Sequence, residues 1–453
     1  MRGCVAQPRA ACLRPWLAPQ RCAARAMAGA AGPTRRSAEV AVIGAGAAGL
    51  AAARELRAEG HRVSVFEADA TVGGTWRYSA MPGGHTSMYA ALRTNLPREL
   101  MAFAYLPFAA STPLAGDARR YPGHAEVLAY LEEFAARYDL LPLIQFGTRV
   151  RRASPLSDAG FLGPRWEIQT EAAGAASTTH TFDACVVCNG HYSRPRVPPV
   201  DGLEQFPGHV THTHDYRTAA PYAGLRVVVV GAAASGEDIS RDIASAAARV
   251  FLSAASWQTE GPLAGVQKRP MLTRLRPDGG AEFADGSREA AVDAVVFATG
   301  YHFTFEPFLQ GDLVRAEDNC VSPLFEHVFP PAAPTLAFIG LPWKVVPFPM
   351  FELQARWVAR LLSGAVPLPS EATMARAIAD AEAALQPRGA KPRRHAHAMT
   401  QAEQFDYDDR LAAYACTTPL PPWRKEMYAA NSRNKRARPD TYRDTWDVAD
   451  ARL

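Results

Sequence analysis

Two glycine-rich hexapeptides carry the most chemistry in this chain, Gly44-Ala45-Gly46-Ala47-Ala48-Gly49 and Gly231-Ala232-Ala233-Ala234-Ser235-Gly236. The first follows the β-branched run Val40, Val42, Ile43 and the second follows Val227 to Val230; each opens a stretch with helical spacing. A strand, a glycine turn and a helix start make an anion site. The turn lets a phosphate reach the backbone, and the helix N-terminus presents free amides and a positive dipole end. In the first hexapeptide Gly44 allows the tight turn, Gly46 the approach of a pyrophosphate, and Gly49 the close packing of helix on strand. The next strand, Val63 to Phe66, delivers Glu67, a carboxylate that suits a ribose hydroxyl pair and repels a 2′-phosphate. That selects FAD or NAD for this site over NADP. Gly73-Gly74-Thr75-Trp76 then reads as a close-approach loop with an indole beside the cofactor, or as a surface turn with a core tryptophan.

The second hexapeptide has Ala233 where the fingerprint has its middle glycine, which predicts a slightly different phosphate path. Glu237 and Asp238 suit a first helical turn. The strand Val250 to Leu252 ends at Ser253-Ala254-Ala255-Ser256, with no acid for a ribose and no arginine for a 2′-phosphate. Lys268 and Arg269 are the substitute cations, and NADPH is the expected nucleotide. Two dinucleotides held by one chain imply electron transfer between them.

Between the two turns lie Phe206, Gly208, His212 and Tyr216, at the spacing F-x-G-x-x-x-H-x-x-x-Y. With this motif the chain resembles the flavin-containing monooxygenases, a class B group that uses FAD and NADPH. The likeness extends over Tyr89 to Phe108, Cys188-Asn189-Gly190-His191, Ala298-Thr299-Gly300-Tyr301, and the C-terminal WRKEMY and TYRDTW; only the first 36 residues fall outside it. It is strongest to the plant-type S-oxygenating branch, whose second loop also lacks the middle glycine but which has an arginine near the end of the Val250 strand. The resemblance implies a flavin hydroperoxide that oxygenates a soft nucleophile, a thioether sulfur or an amine nitrogen. It requires no side-chain nucleophile. A Baeyer–Villiger enzyme uses the same cofactors, but its fingerprint ends in Trp followed by Pro or Asp, where this chain has Tyr216-Arg217. A redox sensor or NADPH oxidase without oxygen transfer is the third reading.

The resemblance makes Asn95, in Arg93-Thr94-Asn95-Leu96-Pro97, the catalytic asparagine that contacts flavin and NADP; from the residues alone, Thr94 or Asn95 equally fits a cap on a helix entered through Pro97. It also brings Thr299 and Gly300 to the cofactors. His212 stands among His209 and His214 on an extended segment that offers no convergent metal face, so no metal is expected and the imidazole reads as support near the nicotinamide ribose. Cys185-Val186-Val187-Cys188 has the spacing of a redox dithiol, yet on a buried strand residues three apart point to opposite faces, which favours core thiols.

Around these residues the expected architecture is α/β: two Rossmann-like dinucleotide-binding domains, the NADP domain inserted into the FAD domain. The boundaries read as 1–36 extension, 37–192 FAD domain, 193–301 NADP domain, and 302–453 FAD domain with a C-terminal extension. Phe283 to Ser287 signals a hairpin; Val127, Leu128, Leu131, Phe134 and Ala135 mark one core-facing helix, and a second is expected from Phe351 to Leu362. Residues 1 to 36 hold seven arginines and no acid, so without them the formal charge of +4 becomes −3, and the folded part offers no general attraction for nucleic acid. That segment resembles an organellar transit peptide for chloroplast or mitochondrion, the alternatives being an alanine-rich disordered extension or an upstream start ahead of Met27, with the cytoplasm as the other location. Seven cysteines, an odd number, argue against a secreted disulfide framework. No apolar run spans a bilayer and the C-terminus is charged, so a soluble intracellular enzyme without a membrane anchor is expected, acting on a small molecule and O2. The oligomeric state is left open, a homodimer among the options.

Overall fold

The structure, a computed structural model, describes residues 35–257, 261–305, 307–385 and 393–446, so nearly all of the arginine-rich leader read as a transit peptide lies outside the described residues. Two five-stranded sheets organise the chain. In the first, the order is Leu336–Phe338, Ala184–Val187, Glu39–Ile43, Arg62–Phe66, Ile144–Gln145, with every pairing parallel. In the second it is Val266–Arg269, Arg249–Ser253, Arg226–Val230, Ala294–Phe297, His209–His212, again all parallel. The central strands are covered on both faces, which is why they read as unbroken valine, isoleucine and alanine. Each glycine turn leaves the middle strand of its own sheet.

The second sheet is interposed in the chain between two strands of the first, Ala184–Val187 before it and Leu336–Phe338 after it. The outgoing and returning passes pair with each other: Tyr301–His302 runs antiparallel to Arg194–Pro195, and Asn189 Nδ2 donates to the Thr304 carbonyl at 2.6 Å. The units are also stitched by residues distant in sequence. Tyr89, from the first unit's stretch of chain, is buried in the second unit's core with Tyr216, Tyr222 and Val227.

The helix Ala47–Ala58 packs on Pro347–Leu362 behind the first glycine turn. The latter begins at Pro347, four residues before the expected Phe351. Prolines at 347 and 349 occupy the first turn, where amides have no intrahelical partner, so they start the helix and do not merely precede it. The helix His124–Arg137 buries Val127, Tyr130, Leu131, Phe134 and Ala135, and half-buried Leu128 abuts Gly73. The hairpin forms as expected, with Ala281–Phe283 antiparallel to Arg288–Glu289 through a turn at Gly286. Cys185 and Cys188 are free, buried, and in cores on opposite faces of the first sheet, so they are not a dithiol.

A methyl group at Gly236 would lie 1.7 Å from the Gly231 carbonyl oxygen, whereas one at Gly84 meets nothing within 4 Å. We therefore expect Gly236→Ala to destabilise the protein by about 1–3 kcal/mol through overpacking and Gly84→Ala to be nearly neutral, as read by chemical denaturation.

Candidate functional site

The two glycine turns are built alike. Gly44 has φ 103° and Gly231 φ 108°, a region open to glycine alone at no cost. A Cβ would fall 2.6 Å from the Cys188 carbonyl oxygen at Gly44 and 2.5 Å from that of Ala298 at Gly231; at Gly49 it would fall 1.8 Å from the Gly44 oxygen. The Gly44 amide donates to the Phe66 carbonyl and the Gly231 amide to that of Ser253, each at 2.8 Å, so every turn is fixed to the next strand of its sheet. Ala233 has φ −81° and ψ −174°, against −73° and −174° for Gly46. The backbone at Ala233 thus runs as at Gly46: these angles suit any residue, and alanine adds only its methyl on the side where a phosphate would pass. Neither following helix has a side-chain cap, so the amides of Ala47, Ala48 and Gly49, and of Ala234, Ser235 and Gly236, end at the turns where an anion would sit. Ala45 and Ala232 are buried within the turns.

Glu67 is buried at the first turn, its Oε2 accepting from the Ala45 amide at 2.6 Å and its Oε1 from the Asp69 amide at 2.8 Å. The carboxylate is held in place, and its remaining lone pairs are available to a ribose. Gly74-Thr75-Trp76 forms a single 3₁₀ turn over the glycines: a Cβ at Gly74 would be 3.0 Å from the Gly46 Cα. The Thr75 carbonyl accepts from the Thr86 hydroxyl, and Trp76 meets Phe348 edge-on.

At the second turn Ser253 is consumed structurally, donating to the Pro270 carbonyl at 2.8 Å and accepting from the Leu272 amide at 2.7 Å. Of the two substitute cations, Arg269 is committed to Glu289 at 2.5 Å. Lys268, paired in the sheet with Leu252, donates to the Gly261 carbonyl and lies 5.8 Å from the Trp257 ring centre; Ala255 and Ser256, just past the strand Arg249–Ser253, are exposed.

The fingerprint residues pack inward. Phe206 closes on Gly208, where a Cβ would be 2.5 Å from its ring. His212 Nδ1 accepts from the His214 amide at 3.0 Å, so the neutral ring carries its proton on Nε2, and that buried atom has no hydrogen-bond partner. The Gly300 backbone lies on that side without meeting hydrogen-bond geometry. Burial, assisted by the neighbouring His214, pushes the imidazole down to about 4. Tyr301 stands 5.1 Å from the His212 ring centre, and Tyr216 donates to Asp242 at 2.6 Å. Sequence reasoning missed Arg217. It is buried and donates to five carbonyls, those of His214 and Tyr216 on its own segment and of Ser79, Met81 and Thr86 across from it. Nothing in the sequence distinguishes it from other arginines; only the carbonyl cage does.

Asn95 is exposed, and its carbonyl accepts from Asn431 Nδ2 at 3.2 Å. The capping alternative fails: the helix Arg98–Met101 has Pro97 at its N-cap and no side-chain cap, and the Thr94 hydroxyl donates to the Leu96 carbonyl at 2.9 Å. Thr299 and Gly300 follow the strand Ala294–Phe297. The Thr299 hydroxyl donates to the Arg196 carbonyl, Arg196 donates back to the Thr299 carbonyl at 2.7 Å, and the Gly300 carbonyl accepts the Arg196 amide. The structure thus gathers both hexapeptides, Glu67, His212 and the 298–301 turn at the C-terminal edges of the two sheets, where open α/β sheets bind ligands. Asn95 arrives on a separate segment. Among the described residues no three histidine, cysteine or acidic side chains are grouped to hold a metal, and no helix is long and apolar enough to cross a membrane.

Residues 37–260 and 263–423 match the family described as flavin-binding monooxygenase-like. The chain is 43% identical over 434 residues to flavin-containing monooxygenase FMO GS-OX-like 4 of Arabidopsis thaliana, covering 91% of this chain and 95% of that protein. FMO GS-OX5 of the same plant is 42% identical over 91% of this chain and 92% of its own length. Among solved structures, S-allyl-L-cysteine S-oxygenase from Allium sativum superposes with a TM-score of 0.86 at 38% identity, covering 93% of this chain and 99% of that one. A cyclohexanone monooxygenase from Rhodococcus, at 17% identity and a TM-score of 0.56 over 79% of this chain and 92% of its own, shares the fold. The chain therefore belongs to the flavin-binding monooxygenase-like family. It is a monooxygenase with FAD and NADPH as cofactors, acting on a small-molecule substrate and O2, of which one oxygen atom goes to the substrate and the other to water.

Burial also lowers His191 and His327 to about 4 and His397 well below its ordinary value. These rings, with His212, stay neutral in the fold while the unfolded chain takes up protons below about pH 6.5. Stability is thus complete above that pH and lost as pH falls towards 4, by about 1.4 kcal/mol per unit for each ring. The buried Asp408 carboxyl, raised to about 8, acts oppositely and is outnumbered in this window. Melting temperature followed from pH 7 to 4 should fall steeply.

Proposed function

We propose that this enzyme oxygenates soft nucleophiles, thioether sulfur ahead of amine nitrogen. The observation that carries the reading is the end-to-end likeness to an S-oxygenase, joined to two uncapped glycine turns of the same geometry in one chain. Residues 37–192 with 302–453 form the FAD unit and 193–301 the NADP unit. The first turn, Gly44 to Gly49, donates amides to the FAD pyrophosphate, Glu67 accepts from its ribose, and Gly74, Thr75 and Trp76 cover it. The second turn, Gly231 to Gly236, holds the NADPH pyrophosphate. The His212 Nε2–H, a buried donor near the Gly300 backbone, suits a ribose hydroxyl, with Thr299 preceding Gly300 in the same turn. FAD, when bound and reduced by NADPH, supplies the activation of oxygen. Thr94 and Asn95 complete the site, the Asn95 amide offering one donor side and one acceptor side to the two nucleotides.

Product mass spectrometry on a panel of thioethers, amines and ketones tests the reaction: sulfoxides are expected, and lactones or esters from ketones would show a Baeyer–Villiger enzyme instead. Asn95→Ala should retain FAD and lose product formation by at least tenfold; unchanged turnover would remove Asn95 from the site. Lys268 is the cation for the 2′-phosphate. A charged hydrogen bond of about 1.5–3 kcal/mol corresponds to a roughly tenfold or greater rise in KM for NADPH in Lys268→Ala, with KM for NADH unmoved.

A further inference from the structure

The C-terminal helix Pro422–Ala437 and the tail behind it, as far as Trp446, cross from one unit to the other directly at Asn95. Asn431 is buried, accepts from the Tyr121 hydroxyl at 2.7 Å and donates to the Asn95 carbonyl. Arg443 Nε donates to the Thr94 carbonyl at 2.9 Å, while its Nη2 reaches Asp238 Oδ2 at 2.5 Å and its Nη1 reaches Oδ1 of the same carboxylate at 3.2 Å. Asp238 lies on the Ala234–Ala244 helix that starts at the second glycine turn. One guanidinium therefore ties the Asn95 segment to the helix beneath the second nucleotide. Arg93 meets Asp444 at 2.8 Å, Arg241 meets Asp440 at 3.0 Å, and Lys435 lies 3.8 Å from Glu237, the other acid of that helix start.

This arrangement meets an electrostatic need. Acids in a first turn suit the helix dipole, but here a pyrophosphate is to occupy the same end, and two carboxylates close by repel it. Asp238 already pairs with Arg241 of its own helix at 2.7 Å, and the strap brings two further cations to the acids, Lys435 and Arg443. Asp238, Glu237, Arg443 and Lys435 are largely buried, where an uncompensated charge is costly and weakly screened.

We infer that Arg443 is a positioning residue: with Arg241 it completes the neutralisation of Asp238 so that the second turn accepts the NADP pyrophosphate, and it alone of the two sets the Thr94-Asn95 backbone against that nucleotide. The inference rests on the Asn95 reading for its second half only. The strap thereby makes retention of the oxidised nucleotide and the placing of Asn95 a single structural event.

The test uses the FAD-loaded full-length enzyme and three readouts: FAD content, NADP+ dissociation constant by calorimetry, and hydrogen peroxide released per NADPH consumed. Arg443→Met should keep FAD, weaken NADP+ at least tenfold and raise the peroxide ratio severalfold. Arg443→Lys should recover NADP+ affinity to within about threefold, because the charge returns, but not the peroxide ratio, because one ammonium cannot reproduce the planar fork that serves both Thr94 and Asp238. Asp238→Asn alone should preserve NADP+ affinity and still raise the ratio, which keeps the test decisive if Arg443→Met does not fold. NADP+ affinity and peroxide ratio both unchanged in a folded Arg443→Met, or loss of FAD in all three variants without rescue by lysine, overturns the inference. Asn95→Ala, measured alongside, separates the two readings: if it leaves the peroxide ratio unaltered, the Asn95 role fails while the NADP+ affinities still judge the strap.

Discussion

The whole site depends on a contact that only a missing side chain permits. At each glycine turn a glycine Cα lies against the carbonyl of the residue just past the neighbouring strand, Gly44 on Cys188 and Gly231 on Ala298, and a second glycine, 49 or 236, lets the helix sit directly on the turn. Because helix, turn and two strands meet at that point, the amides at the helix start are aimed before any ligand arrives. The ordering entropy of the binding loop is then met in folding and not again at binding. The contact also explains why the middle glycine is dispensable and the outer two are not. Ala233 keeps extended backbone angles with room for a methyl, whereas a methyl at 231 or 236 would overlap backbone atoms.

A second constraint acts between the sheets. In the proposed reading two nucleotides face each other across a boundary that is otherwise joined by a short ribbon, and relative motion there would open the site to water. The boundary is held by a guanidinium on carbonyls, a shared aromatic core and one buried ion pair. Arg217 spends its guanidinium on five main-chain oxygens drawn from both sides, Tyr89 enters the neighbouring core, and Arg443 reaches both units from the chain's far end. Main-chain oxygens move only with their backbone, so such contacts resist shear more than ion pairs between long side chains do.

Much of the architecture was legible because its signals are local. A buried parallel strand must be a run of branched apolar residues, a phosphate turn must be glycine, and Glu67 must follow the second strand at its end; each reads without knowledge of what packs where. The cysteine pair was resolved by the alternation of strand faces alone. What escaped was long-range. Arg217 is invisible until its carbonyls are brought together from residues 79 to 86, and the contact of Arg443 with Asp238 joins segments some two hundred residues apart. The start of the helix at Pro347 was missed because two prolines read as a barrier, although a first turn has no use for their amides. The Asn95 segment suggested a cap, and the turn instead closed on Pro97 with Thr94 bonded to Leu96.

The pairing of Arg194–Pro195 with Tyr301–His302 places the entry and exit of the interposed unit side by side. Topologically that unit is a cassette whose ends already meet, so exchanging it for a homologous one would leave the host sheet closed. The seams decide whether such an exchange succeeds. An incoming cassette must bring a cavity for Tyr89 and an acid for Arg443, and those two requirements, more than the joined ends, set which nucleotide units this host accepts.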